Sequence, residues 1–159
     1  MIDSRDIYRV IKETLEANIK DIKVQTKDIK NPRPPCLYIK PITDTNNQTA
    51  SEYETVNYSY AVIYFSGVAT LEDLLDVKER LKKIFKKPLK VVAYDDEEDV
   101  NYLDVSNLSF TLDEDDYFLN AVLNIEHIQP LGVARFESEN TEIMEEMELT
   151  VDSSNNERK

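Results

Sequence analysis

The chain has one cysteine, one histidine, two glycines and no tryptophan among its 159 residues. A single cysteine, Cys36, excludes an internal disulfide and any thiolate metal cluster built within one chain. With only Gly67 and Gly132, the chain has no glycine-rich loop of the kind that holds phosphate groups. The solitary His127 has no second histidine or cysteine with which to share a metal, so we expect a hydrogen-bonded structural histidine.

Long apolar runs and catalytic motifs are also missing. No apolar run approaches the ~20 residues that span a bilayer, and the first thirty residues mix acids and bases throughout, unlike a signal peptide. We therefore expect a protein made in a cytoplasm and not bound to a membrane. Asp113–Asp116 places four carboxylates close together, but without the alternating spacing of a calcium-binding loop. Because no nucleophile and base pair is evident either, we predict no enzymatic activity, no cofactor and no metal site.

Charge is plentiful and unevenly distributed. The formal net charge is −13, with acids concentrated in Asp95–Asp99, in Asp113–Asp116 and in the tail from Glu137 onward. The segment Lys78–Lys90 instead holds seven cations and one acid. Separated charges of both signs favour association between copies or with charged partners, although solubility is a plainer explanation. The net charge argues against binding to a phosphate backbone, which requires a basic footprint.

A helix followed by two strands is predicted for the first part of the chain. The helix is capped by Asp3 or Ser4 and runs to about Asn18, with apolar residues at helical spacing at Ile7, Val10, Ile11 and Leu15. Asp21–Thr26 then alternates as a short strand near a sheet edge. After a stiff proline-rich connector, Cys36–Ile42 reads as a second strand.

The strongest strand signal lies in Tyr53–Phe65. Its first half alternates apolar with polar residues, so one face should be buried and the other wet. Ala61–Phe65 is apolar on both parities, so we expect that end to be covered on both sides. The preceding segment, Thr43–Glu52, has no apolar side chain larger than alanine and is predicted to be a polar loop that is either mobile or ordered only by a partner.

A second amphipathic helix begins at the cap residue Thr70, with Asp73 three residues later, and ends at Pro88. The predicted stripe contains Leu71, Leu74, Leu75, Lys78, Leu81 and Phe85, with Val77 and Ile84 at its margins. The remaining cations lie off this stripe, and they form either a solvated face or a docking surface for an acidic neighbour: Arg80, Lys82, Lys83, Lys86 and Lys87.

The last third of the domain is predicted to be all β-structure. Leu89–Tyr94 reads as a short strand, and the acidic run Asp95–Asp99 as a turn or exposed loop. Val100–Leu112 and Tyr117–Ile128 alternate over long stretches and predict an antiparallel hairpin. A change of parity inside the first run predicts a bulge. The turn of this hairpin consists of four acids, Asp113, Glu114, Asp115 and Asp116.

These elements predict an α+β domain over residues 1–133, in which a mixed, mainly antiparallel sheet packs against two amphipathic helices. Residues 134–159 form an acidic C-terminal extension with few apolar side chains. Ile143, Met144 and Met147 have the spacing of a short helix, while Leu149 and Val151 alternate like a strand. The extension is expected either to dock on a neighbouring subunit or to be partly disordered.

The order of elements, together with two sequence blocks, resembles the tail terminator proteins of tailed bacteriophages. The blocks are R-P-P-C-L-Y-I at Arg33–Ile39 and Y-A-V-I-Y-F at Tyr60–Phe65. The likeness is greatest to the versions in prophages and phage-tail-like particles of Gram-positive bacteria, and it covers about residues 2 to 131. The acidic extension beyond Arg135 departs from the resemblance.

This resemblance implies a structural virion protein that caps the head-proximal end of the tail tube as a homo-hexameric ring. Such a ring ends tube polymerisation, offers a joint to the neck or collar protein and, in a contractile tail, contacts the sheath protein. DNA would pass through its lumen without specific binding. Opposite charges would set the register between subunits, with the extension docking on a neighbour. The expected interface residues are Arg80, Lys82, Lys83, Lys86, Lys87, Asp113, Glu114, Asp115, Asp116, Ile143 and Met147.

Two other functions stay open from the sequence. Another neck or tail-completion protein would share a small α/β design, and gene order beside the tube and sheath genes would separate it from a terminator. An acidic DNA-mimic inhibitor would use the net charge to occupy a nucleic-acid site, and salt-sensitive competition with duplex DNA would reveal it. The basic segment Lys78–Lys90 argues against such mimicry.

Overall fold

A five-stranded sheet carries two helices and a small β-hairpin on one face in a computed structural model of the chain, which describes residues 1–27, 30–48 and 50–130. The elements are α1 (Ser4–Asn18), β1 (Lys23–Val24), β2 (Cys36–Gln48), β3 (Tyr53–Phe65), α2 (Leu71–Ile84), β4 (Leu89–Ala93), β5 (Asp96–Leu103), β6 (Val105–Asp113) and β7 (Phe118–Pro130). The sheet order is β1-β2-β3-β7-β6, with only the β1–β2 pair parallel. The α+β fold class is therefore confirmed, and the extension at residues 134–159 lies outside the described residues.

Helix α1 begins where the sequence predicts, at a capping box. The Asp3 carboxylate accepts from the backbone N–H of Asp6 at 3.2 Å, and the Asp6 carboxylate accepts from the N–H of Asp3 at 3.0 Å. Asp6 is only 1% exposed and also accepts from the N–H of Tyr94 and from the Arg9 guanidinium, each at 3.0 Å. Arg9 in turn donates to the carbonyl of Val92 at 2.6 Å. One buried carboxylate thus joins the start of α1 to the turn between β4 and β5.

Strand β3 lies at the centre of the sheet, and all thirteen of its residues pair with β7. One parity, which includes Tyr58, Tyr60 and Tyr64, is buried under the helices. The Tyr60 hydroxyl donates to the carbonyl of Ser4 at 2.6 Å in α1, and the Tyr64 hydroxyl donates to the Asp73 carboxylate at 2.5 Å in α2. The central strand therefore positions both helices through its tyrosines.

The other face of β3 differs from the prediction. Both helices and the β4–β5 hairpin pack on the same side of the sheet, so the apolar end of β3 is not covered on both faces. Ile63 and Phe65 remain half-buried, with neighbouring strands as their main contacts. The strand predicted from this apolar run is therefore correct, but the predicted second covering layer is not formed by the described residues.

The predicted loop at Thr43–Glu52 is wrong over most of its length. Strand β2 continues as far as Gln48 and pairs with β3 from Cys36–Phe65 to Gln48–Glu54, with a register shift between Pro41 and Thr43. The side chains from Lys40 to Gln48 are exposed, which explains their polar composition. Backbone hydrogen bonds to the long central strand hold this segment in place. The prediction missed the strand because it relied on the pattern of apolar side chains, which carries no information about backbone pairing.

The predicted run Val100–Leu112 is also divided differently. It breaks at Asp104 into β5 and β6, which belong to different sheets, so the change of parity between Tyr102 and Val105 marks a strand break. A register shift in the β6–β7 pairing follows directly, between Val105 and Asn107. β5 pairs with β4 in a separate hairpin and begins at Asp96, which places most of the acidic run in a strand. The β6–β7 hairpin itself is confirmed. None of the described helices is long and apolar enough to cross a membrane.

Replacing Asp6 with alanine should lower the free energy of unfolding by about 2–4 kcal/mol, because the variant loses a helix cap and leaves the partly buried N–H groups of Asp3 and Tyr94 without their acceptor. Chemical denaturation followed by circular dichroism would measure the change. Glu16→Ala, an exposed carboxylate on the same helix, is the matched control and should cost less than about 0.5 kcal/mol. Equal losses in the two variants would contradict the linking role of Asp6.

Candidate functional site

The titratable groups inside the fold act as structural donors and packed side chains. Burial raises the pKa of Tyr58 to about 12 and also raises the pKa of the Cys36 thiol. Burial lowers the pKa of His127, and the nearby Asp99 carboxylate opposes this shift only in part. Among residues 1–27, 30–48 and 50–130, no three histidine, cysteine or acidic side chains form a group that could hold a metal. The features that remain for a function are the surfaces.

Two strand edges are open. Within the described part of the chain, β6 pairs only with β7, so its outer edge has no strand partner. On the opposite side of the sheet, β1 pairs with β2 at Cys36 and Leu37, and no strand among the described residues pairs with the outer edge of β2 from Tyr38 to Gln48. Unpaired backbone donors and acceptors are a template for pairing with another strand. The single chain thus offers two different edges for association.

The helix-free face of the sheet carries a band of apolar side chains at one end. Phe65 and Phe118 lie side by side with ring centroids 6.1 Å apart, and Ile63 and Tyr38 continue the band on β3 and β2. All four are half-buried. The other end of this face is polar, where the Ser59 hydroxyl donates to Asn124 across the strands at 2.5 Å. A partly exposed apolar band beside a polar one is typical of a protein contact surface.

Helix α2 exposes part of its predicted apolar stripe. Leu74, Val77 and Leu81 are fully buried, whereas Leu71 and Leu75 are each 42% exposed. The predicted stripe was therefore displaced, because α2 lies over β6 and β7 at the sheet edge and no described element covers its outer side. The two exposed leucines add to the surface of the domain on the side of β6.

The predicted cations of α2 have three different environments. Arg80 forms ion pairs with Asp21 and, at 3.9 Å, with Asp76, so its charge is compensated within the chain. Lys82 forms an ion pair with Glu79 at 3.2 Å. The other three, which make no ion pair with the described residues, are exposed: Lys83, Lys86 and Lys87.

A groove runs between α2 and β6, and we call it the α2–β6 groove. A cavity of about 450 Å³ at its basic end is lined by Lys82, Phe85, Lys86, Asp104, Val105, Leu108 and Phe110. The ammonium groups of Lys78 and Lys82 lie 5.7 and 5.9 Å from the ring centroid of Phe110, within the range of cation–π attraction. Sequence reasoning missed Lys78, Leu108 and Phe110, although the four-residue spacing of Lys78, Lys82 and Lys86 places them on one side of a helix.

The four acids of the β6–β7 turn differ in role, since one stabilises the turn and three are exposed to solvent. The Asp113 carboxylate accepts from the N–H groups of Asp115 and Asp116, each at 2.9 Å, and closes the turn. Glu114, Asp115 and Asp116 are exposed.

The structure does not bring the predicted cations and acids together within one chain. The acidic turn lies at one end of β6, and the basic end of the α2–β6 groove lies at the other, about 27 Å away by strand geometry. Any pairing between the two clusters needs a second copy. Ile143 and Met147, the last two predicted interface residues, lie outside the described residues.

Replacing Asp113 with alanine should lower the free energy of unfolding by about 1 kcal/mol, because two backbone donors in the turn lose their acceptor. Asp116→Ala removes the same charge from the same turn but leaves both bonds, and it should have little effect. Thermal or urea denaturation would measure both variants. A similar change in the two would show that charge, and not hydrogen bonding, is what the turn contributes.

The comparison with known families agrees with these surfaces. A search of curated proteins finds no match to the chain. Residues 6–129 match the sequence model of a family described as phage tail terminator protein. The match covers both helices almost entirely and the whole five-stranded sheet except Pro130. It confirms the resemblance carried by the blocks at Arg33–Ile39 and Tyr60–Phe65. The chain therefore belongs to the phage tail terminator family, and its role is a structural one in the completion of a phage tail.

Proposed function

We propose that six copies of this chain form a ring that caps the head-proximal end of a tail tube. The ring ends polymerisation of the tube and provides the joint to a neck or collar protein, after assembly in the cytoplasm of the bacterial host. The observation that supports this proposal is the membership of residues 6–129 in the terminator family. The number six and the position on the tube follow from the family resemblance.

The two open edges support a ring because they differ from each other. The edge of β6 and the edge of β2 lie on opposite sides of one sheet, so a contact between them is heterologous and can be repeated from subunit to subunit. A heterologous contact closes into a ring when its rotation divides a full turn. Pairing of β6 with Tyr38–Gln48 of the next subunit would satisfy both of these open edges at once.

The apolar band on the helix-free face gives the ring a surface for another tail protein. Tyr38, Ile63, Phe65 and Phe118 are half-buried in the single chain, and contact with the end of the tail tube would bury them further. Burying apolar area releases about 25 cal/mol per Å², so even this small band contributes to binding. We assign this band to the tube protein. In a contractile tail, the outer side of the ring would also contact the sheath protein.

The mass of the purified protein, measured by mass photometry and light scattering with and without tail tubes, tests the ring. We expect hexamers, or hexamer-sized caps that bind only at tube ends. A strict monomer that ignores tubes would contradict the proposal. Binding to the neck alone would identify another completion protein, and salt-sensitive competition with duplex DNA would identify a DNA mimic.

An edge-blocking variant sharpens this test. Thr43→Lys combined with Thr45→Lys places charges on the exposed open edge of β2 and should abolish ring formation without unfolding the domain, because both side chains are exposed. The matched control, Thr43→Ser with Thr45→Ser, changes the same positions without a charge and should assemble normally. Assembly of the lysine variant would exclude β2 from the subunit contact.

The acidic turn is assigned to the lumen of the ring, where its charge would keep passing DNA from adhering to the wall. Neutralising the exposed acids, with Glu114→Gln, Asp115→Asn and Asp116→Asn, should slow DNA ejection while tails still assemble. The bonds made by Asp113 are left intact in this variant. Ejection followed by dye fluorescence would measure the effect, and unchanged ejection would remove the turn from the lumen.

A further inference from the structure

The α2–β6 groove has two walls of regular spacing. The helix wall consists of one side of α2, with Leu71, Leu75, Lys78 and Lys82 three or four residues apart. Lys86 follows in the turn after the helix. The strand wall consists of the half-buried, helix-facing side chains of the open edge strand, Val105, Leu108, Phe110 and Leu112. The helix wall from Leu71 to Ile84 is about 20 Å long, and no described residue fills the cavity beside Lys82 and Phe110.

Its chemistry changes from one end to the other. Two cations, Lys82 and Lys86, line the cavity beside Val105 at the start of β6, together with one acid, Asp104. The exposed Leu71 and Leu75 lie in the first turns of α2, near the end of β6, where the Ser66 N–H donates to the carbonyl of Tyr117 at 3.1 Å. The groove is thus basic at the Val105 end and apolar at the other end.

The chain beyond Pro130 has the complementary chemistry in the matching order. Residues 137–152 contain seven acids and no cation, namely Glu137, Glu139, Glu142, Glu145, Glu146, Glu148 and Asp152. Large apolar side chains follow the first acids and continue towards the end of this segment, at Ile143, Met144, Met147, Leu149 and Val151. Read from residue 137, the segment begins with three acids, and from Ile143 onward apolar side chains alternate with the remaining acids.

The length of the chain between Pro130 and this segment fits the groove. Val105 pairs with Ile125, so the basic end of the groove lies level with a point five residues before Pro130 on β7. Five strand residues span about 17 Å. Residues 131–136 reach about 20 Å when extended, which returns the chain to the basic end as its acids begin.

We propose that residues 137–152 of the chain dock in the α2–β6 groove of the same chain. The glutamates lie against Lys78, Lys82 and Lys86, and the apolar side chains cover Leu71, Leu75 and Phe110. Docking compensates the uncovered charges of α2 and shields the apolar wall beside the open edge of β6. This inference concerns the single subunit and stands independently of the ring.

Zero-length carboxyl–amine cross-linking of the full-length protein tests the proposal directly. Equal amounts of unlabelled and ¹⁵N-labelled chains are unfolded and refolded together, so that any oligomer contains both. The mixture is then treated with a carbodiimide at low salt, and the cross-linked peptides are read by mass spectrometry. We expect Glu137, Glu139 or Glu142 to link to Lys78, Lys82 or Lys86 within chains of one isotope. Peptides that join the two isotopes would show that a second copy occupies the groove and would overturn the proposal, as would the absence of these links.

A pair of charge reversals on α2 provides the matched control. Lys82→Glu with Lys86→Glu changes the groove side of the helix, whereas Lys83→Glu with Lys87→Glu makes the same change on the side that faces α1. The first variant should reduce the links from the segment to the remaining Lys78 about tenfold, and 1 M salt should do the same to the wild type. The second variant should leave those links unchanged. Equal losses in both variants would show attraction to overall charge and not to the groove.

Discussion

The full pairing of β3 is the constraint on which the rest of the structure depends. A central strand of thirteen residues has backbone donors and acceptors on both sides, and each must find a partner. β7 matches it residue for residue, and β2 follows it into the polar segment as far as Gln48. The tyrosines on one face of β3 then bind the start of α1 and the first turn of α2. Strand pairing and helix placement thus originate in one element.

The surfaces that remain are consequences of that arrangement. Because α1, α2 and the β4–β5 hairpin all lie over one face of the sheet, the opposite face keeps its apolar band half exposed. Because the sheet ends in β6 on one side and in a two-residue strand on the other, most of both edges is open. A tail terminator is a structural protein, and exposed edges and faces of this kind are what a subunit of an assembly needs.

The charged side chains also serve two purposes, since some stabilise the fold and others remain on the surface. Asp6 and Asp113 close a helix cap and a turn within the fold, and the Asp73 carboxylate accepts from the Tyr64 hydroxyl. Arg80 is compensated by Asp21 and Asp76, so the segment that looks uniformly basic in sequence presents fewer available cations. The other cations of this segment lie on two sides of the helix. One of these sides lines the α2–β6 groove, which contains the Phe110 ring. The two sides of the same helix are therefore suited to different contacts.

The sequence by itself determined the class of fold, both helices with their caps at Asp3 and Thr70, the central strand and the β6–β7 hairpin. Each of these depends on local periodicity and capping, which neighbouring residues encode. It also carried the resemblance that the family match confirms. The strand at Thr43–Gln48, the break at Asp104 and the groove beside Phe110 were decided only by the tertiary structure. Their reason is non-local: backbone pairing to β3 holds polar residues in a strand, and a groove exists only where two distant elements lie side by side.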